Sequence, residues 1–460
     1  MKYQVFIIIS FISIISAYSQ QDEYITVVGD SLVGKVVEGE SVREVYGNVV
    51  LVQGNVTITC SRAVQFISRN DAELIGNVIA KQDTLTIYTD KAYYSGNERK
   101  AESTSGVKLD DQKVILTADT GDYFFNENKA FFRHNVTLYD TASTLTSGEL
   151  TYYKNENRMV AVNNVKIIQE QNIIEADSLE YFRDARITIA DNDVMISNKG
   201  NNVLIYGEHL EDYAKLHYSL INKNPLLVQV DTTYVKSDVN SIPAIRLDTL
   251  IIKSVVMEAW RDTFDLFKAR DSVKMVRGQF ASRNDFTIYY RSEDKIVIQK
   301  PDNNSNQPIL WFENTQLTGD SVTIYLRENR IRLLDIDRNS FLLSQNKNYP
   351  DRYDQISGRR IAIFFEDGDI NRTEVYGSVL SIYYLYEDSL ANGLTKSSSQ
   401  DAVINFFNDE VTEVRLYGSP ASEYYPENQV AGKGLQFTLP LFNLYKNRPV
   451  KEELMKKVKR

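Results

Sequence analysis

The stretch Val114-Ile115-Leu116-Thr117-Ala118-Asp119-Thr120-Gly121-Asp122-Tyr123 is answered 29 residues later by Ser143-Thr144-Leu145-Thr146-Ser147-Gly148-Glu149-Leu150-Thr151-Tyr152. The same step joins Tyr94, Tyr123, Tyr152 and Tyr181, then Ile87, Leu116, Leu145 and Ile174, then the small residues Thr89, Ala118, Ser147 and Ala176. A fourth register, Val107, Val136, Val165 and Val194, keeps it too. Several registers with one period mark an internal repeat, in which each unit buries its apolar face only against its neighbours.

Within a unit the residues alternate apolar and polar with period two, so the elements are strands. Polar breaks at Asn97-Glu98-Arg99-Lys100, Asn126 to Lys129, Asn155 to Arg158 and Asp184 to Arg186 place one reversal per unit. A second falls near Asp110-Asp111, Asp140-Thr141 and Glu170-Gln171. One unit is therefore two antiparallel strands of about ten residues. By parity, Val107 and Leu109, Val136 and Leu138, and Val165 and Ile167 face inward with Ala101, Ala130 and Met159. The opposite side, with Lys108, Asp110, Thr137 and Lys166, is wet.

Working outward, the phrase Gly47-Asn48-Val49-Val50-Leu51 recurs in six copies from Val49 to Val194, so one repeat body is expected over 24–230. The polar segment Asp231 to Arg246 is read as a boundary, followed by a second, degenerate lobe over 247–445 with steps stretched to 36, 39 and 41 residues (Asn284 onward). Residues 446–460 carry seven Lys or Arg and are expected as a basic, solvated tail; the other reading is a contact for anionic headgroups or a partner. Lys2, the apolar run Val5 to Ile15 and Ala17-Tyr18-Ser19 read as a secretory signal peptide over 1–19, with an uncleaved anchor as the alternative. That run is shorter than the roughly 20 residues a membrane-spanning helix needs.

A formal charge of −10 argues against a nucleic-acid-binding surface. Cys60 is the sole cysteine, so no intramolecular disulfide forms, and its alternating context reads as buried and structural. Catalysis finds little support: His134, His209 and His217 do not repeat, and Asp90, Asp119 and Asp177 fall on the 29-residue step, broken by Gly148, in a manner that suits turns. No metal-ligand spacing, phosphate loop or nucleophile elbow is present, and no cofactor is expected.

Units of the form small-Asp, three residues, Tyr, an Asn turn, then Asn-Val-x-Leu resemble the OstA-like family of LptA-type lipopolysaccharide-transport proteins; Ala118-Asp119, Tyr123 and Asn135-Val136-Thr137-Leu138 form the clearest copy. The resemblance implies an elongated all-β, repeat-built antiparallel jellyroll, here in two lobes, open along one seam. It implies a protein of the periplasm of a Gram-negative bacterium, free there or peripheral to the outer membrane, that is not an enzyme and shields the acyl chains of lipopolysaccharide (lipid A) during outer-membrane assembly. Implied partners are other lipopolysaccharide-export proteins, met through sheet edges, and copies of itself stacked end to end. Candidates for the lipid groove are Ile87, Val107, Leu109, Leu116, Val136, Leu138, Leu145, Val165, Ile167 and Ile174. Small inward residues such as Ala101, Ser103, Ala130 and Ala161 are expected to leave space beside them, and the tyrosines to stack as scaffolding. Two other readings stand beside this one: a solid, structural or adhesive β-solenoid that binds proteins, and a polysaccharide-acting β-helix with paired carboxylates in a cleft.

Overall fold

A computed structural model describes residues 24–456, apart from 170, 199, 201, 236–243, 263, 264, 303, 304, 329, 367, 388, 389, 408 and 409. The expected signal peptide and the last four residues lie outside these. The protein is all-β, 71% strand and 5% helix. It divides into two compact units, residues 1–140 and 141–460.

In the first unit successive strands pair antiparallel as a meander, Glu40–Gln53 with Val56–Phe66, then Asp71–Gln82, then Leu85–Ser95. The reversals fall where the polar breaks place them, with Arg99 and Asn128 in the left-handed region. A feature the alternation hides is a corner in the middle of every second strand. Consecutive left-handed residues make it, Gly47-Asn48, Gly76-Asn77 and His134-Asn135, with Gly106 alone in the third copy. Ladder register slips by one residue there, as between Ile75 and Val78 against Lys91 and Thr89. Side-chain amides lock two of these corners: Asn135 Nδ2 donates to Asp119 at 2.7 Å and Asn48 Nδ2 to Asp30 at 3.0 Å. Gly and Asn occupy the corners because they tolerate positive φ best.

Each corner folds the meander over on itself. Val78, Ala80, Ile87 and Val107, beyond the corners, consequently face Leu74, Ala92 and Phe132, before them, across one apolar interior. This is the antiparallel jellyroll expected of the repeat.

The second unit begins with the same meander, Ser143–Tyr153, Arg158–Gln169, Asn172–Phe182, Ile187–Asn198 and Val203–Tyr213, with corners at Asn163-Asn164 and Asn192-Asp193. Strands Leu226–Val235 and Ala244–Lys253 pair with each other over ten positions, and the stretch Asp231 to Arg246 takes in the end of the first and the start of the second.

The largest departure lies at the C-terminus. After the last strand, Ala421–Tyr425, the chain returns as a strap over the outer face of the sheet. Beneath it runs a cross-strand row on that face, Val228–Ile251–Val276–Ala281–Trp311, continuing through Gln316, Leu343 and Gln355. Gln316 Nε2 donates to Asn443 O and its Oε1 accepts from Tyr445 N; Gln355 does the same with Phe437 O and Leu439 N, at 2.8–2.9 Å throughout. Arg352 holds Glu427 through both Nη atoms, at 3.1 and 2.5 Å, and Arg448 donates to Glu313 O and Gln279 O. Leu454, on the terminal helix Lys451–Met455, is only 3% exposed. Within the segment expected as a solvated tail most described residues are exposed, but Pro449 and Leu454 are buried, because the outer face here is apolar where that of the first unit is polar.

Candidate functional site

All ten groove candidates face the interior and none is more than 7% exposed. In the first unit Ile87, Leu109, Leu116 and Leu138 stand directly opposite one another across four strands, with Val107 beside them against Thr89 and Ala118. Val136 is buried one pleat away from Leu138. In the second unit Leu145, Ile167 and Ile174 extend to Ile196 in the same manner, with Val165 opposite Ala176. Period-two alternation and repeat stacking together produce these rows.

The 29-spaced tyrosines also point inward, since the corner resets the parity between Thr89 and Ala92. Their hydroxyls do specific work. Opposite the corners the two halves of the meander end in turns, and among the described residues of the first unit no strand pairing joins these ends. The seam is bridged by side chains: Tyr94 donates to Gln53 Oε1 at 2.6 Å while Gln53 Nε2 donates to Gly96 O at 2.9 Å. One repeat on, Tyr123 contacts Gln82 Oε1 at 3.4 Å and Gln82 Nε2 donates to Phe125 O at 3.1 Å. Burial raises the Tyr123 phenol well above its ordinary pKa, so it remains a donor. Gln53 and Gln82 are themselves 29 apart, a register that tracking apolar positions passes over. Each tyrosine lies 41 residues beyond its glutamine.

The space expected beside Ala101, Ser103 and Ala130 is largely filled. Phe125 packs edge-on against Tyr94 and Tyr123, with centroids 5.9 and 4.8 Å apart, and an interior cavity lined by Ala101, Ser103 and Phe132 is about 20 Å³. The second unit is different. Between Ile196, Val203 and Ile205 on one side and Leu210, Ile221 and Phe267 on the other lies a cavity of about 110 Å³, with Asn172, Asn198, Arg261 and Arg291 among its polar lining.

Other candidates resolve structurally. Cys60 is buried, its Sγ 3.1 Å from Arg62 O, and burial pushes its thiol pKa up. Partial burial opposes protonation of His209, but its bonds to Asp191 (2.6 Å) and Glu211 (3.2 Å) outweigh that and raise its pKa. Among the described residues no group of three or more His, Cys, Asp or Glu is placed to hold a metal, and no helix is long and apolar enough to cross a membrane. The first unit ends in the strand Ser31–Val37, exposed along its whole length and paired with Glu40–Gln53. In the second unit Glu410–Tyr417 pairs with Leu390–Phe407 and likewise borders the sheet.

Comparison with known proteins agrees with the repeat. Residues 25–177 match the family described as OstA-like protein. A solved structure to which the chain is similar is LptH, the LptA homologous periplasmic component of the lipopolysaccharide transport device of Pseudomonas aeruginosa. Identity is 17%, over 37% of this chain and 84% of that one, with a TM-score of 0.13. A search of curated proteins gives no match. Residues 25–177, the region of the strict 29-residue repeat, are similar to the OstA-like proteins.

Proposed function

We propose that this protein is a periplasmic carrier that takes the acyl chains of lipopolysaccharide between the two faces of its jellyroll during outer-membrane assembly, without turnover chemistry. The observation that carries the reading is the seam. Its two lips are joined in the first unit by side-chain hydrogen bonds of Gln53, Gln82, Tyr94 and Tyr123, whereas the corner side is continuous backbone. Each such bond contributes about 1 kcal/mol net. Burying an alkyl chain returns about 0.8 kcal/mol per methylene, so a chain of a dozen carbons outweighs the hydrogen bonds of two clasps about twofold. The exposed edges Ser31–Val37 and Glu410–Tyr417 suit pairing with the sheet edges of other export proteins or of a second copy.

The test is a photoreactive residue at Leu116, Val136 or Leu145 in the purified chain, irradiated with lipopolysaccharide. Adducts at these inward positions, absent with the probe at exposed Lys113, are expected; equal labelling inside and outside, or none, rules the carrier out. The small cavity of the first unit favours a second reading, a solid scaffold that binds proteins. In that case lipopolysaccharide leaves amide exchange at the Gln53 and Gln82 turns unchanged.

A further inference from the structure

One rung of the clasp register keeps its glutamine but has no tyrosine. Gln169 stands three steps of 29 beyond Gln82, with Asp111 and Asp140 at the steps between, and the residue 41 positions beyond it is Leu210, which has no hydroxyl. At the next step stands Asn198, whose amide donates along its own lip to Asn172 Oδ1 at 2.7 Å. Leu210, Asn172 and Asn198 all line the 110 Å³ cavity of the second unit. The seam thus loses its clasp beside the place where the interior widens. An engineered apolar cavity of about 150 Å³ holds a benzene ring, which sets the scale for an alkyl segment here.

The polar lining is as informative as the apolar one. Arg261 reaches it from beyond the strand Val256–Trp260, its Nη2 2.7 Å from Asp212 Oδ1, and Arg291 from beyond Phe280–Tyr290, its Nη1 3.4 Å from Asp265 Oδ1. Both guanidiniums are partly exposed. Each has five N–H donors, and one aspartate contact leaves most of them for a second anion. Asp212 is also engaged by Ser219, and Glu258, a carboxylate in the lining, by Tyr218 and Arg270.

We infer that the seam between Asn172 and Asn198 on one lip and Arg261 and Arg291 on the other is the entry port for an amphiphile whose alkyl chain enters the cavity past Leu210 and whose phosphate headgroup docks on the two arginines. This rests on the reading that the interior takes alkyl chains, and adds where they enter and what charge they carry. Arginine suits the task because its planar fork meets two phosphate oxygens at once.

The experiment titrates the full chain, below micelle-forming concentrations, with dodecyl phosphate, with dodecyl maltoside and with inorganic phosphate. Dodecyl phosphate is expected to bind at least tenfold tighter than the maltoside, with inorganic phosphate competing weakly at the headgroup. Arg261→Gln with Arg291→Gln should remove that advantage and leave maltoside binding within about twofold. Leu210→Trp should weaken both alkyl ligands. Circular dichroism confirms folding, and Arg261→Lys with Arg291→Lys keeps the charge should the glutamine variant misfold. It should retain part of the preference. If the wild type binds neither amphiphile, the carrier reading falls together with this port. If both bind equally, or the arginine variants lose both in parallel, the carrier stands and the port is overturned. Inorganic phosphate binding as tightly as dodecyl phosphate would make this a free-anion site and also overturn it.

Discussion

Asp354 shows how a single residue couples this fold to pH. Its carboxylate accepts the Tyr384 N–H at 2.9 Å, and desolvation by its surroundings pushes its pKa from 3.8 up to about 7. A carboxyl raised in the folded state holds a proton that the unfolded chain has released, so stability declines as pH rises from about 4 through 7. His209, whose folded pKa is also raised, acts in the same direction: its contribution is full below its unfolded value and is lost as pH rises through the folded one. Thermal melts should show higher stability at pH 5.5 than at pH 8. Asp354→Asn, which keeps the acceptor oxygen, should flatten that slope and raise the melting temperature at pH 8. An unchanged slope in both Asp354→Asn and His209→Gln would contradict this assignment. Residue-scale chemistry of this sort was not legible beforehand, because nothing local to Asp354 marks it as desolvated.

Among the elements, the strap differs most from what its sequence suggested. Lys446 to Arg460 is rich in charge, which reads as solvated, yet Leu454 anchors it and two glutamines from distant strands clamp the backbone before it. Gln316 lies 127 residues from its partner Asn443, a separation no periodicity reveals. One signal was available: runs such as Leu226-Leu227-Val228 and Leu250-Ile251-Ile252 are apolar on both parities and demand cover on both faces. Between the clamps Leu441 sits at φ +73°, a strained setting for a branched side chain. Gln316→Ala with Gln355→Ala should lower stability by about 2–4 kcal/mol, since each change strands buried backbone groups. Hydrogen exchange should rise in Ile309–Phe312, Arg330–Gln345 and Tyr353–Glu366 and remain unchanged in residues 24–140. Uniform exchange across the chain in both proteins would show that the strap braces nothing.

On the scale of the whole molecule, each of the two units leaves a bordering strand with unpaired backbone groups. Ser31–Val37 carries Leu32, Val33, Val36 and Val37 exposed, with Lys35 its lone charged residue. Such an edge templates pairing, and natural edges are blunted with lysine. If the edge mediates association, Leu32→Lys with Val36→Lys should abolish concentration-dependent self-association in sedimentation velocity and leave lipid binding intact. Undiminished association would remove this strand from any assembly.

The 29-residue period by itself determined that the chain is a stack of strand pairs, which residues face inward and where the chain reverses, because these follow from alternation and turn chemistry within about thirty residues. The inward rows of Ile87, Leu109, Leu116 and Leu138 were legible for that reason. Only the tertiary structure decided how the stack closes. The corners, the filled first interior and the wider cavity at Leu210 arise there, and the Gln53 and Gln82 clasps and the Gln316 clamp of the strap join residues 41 to 127 positions apart. Their geometry is set by how two folded-over sheets meet, and a pattern confined to one strand pair contains no term for that contact.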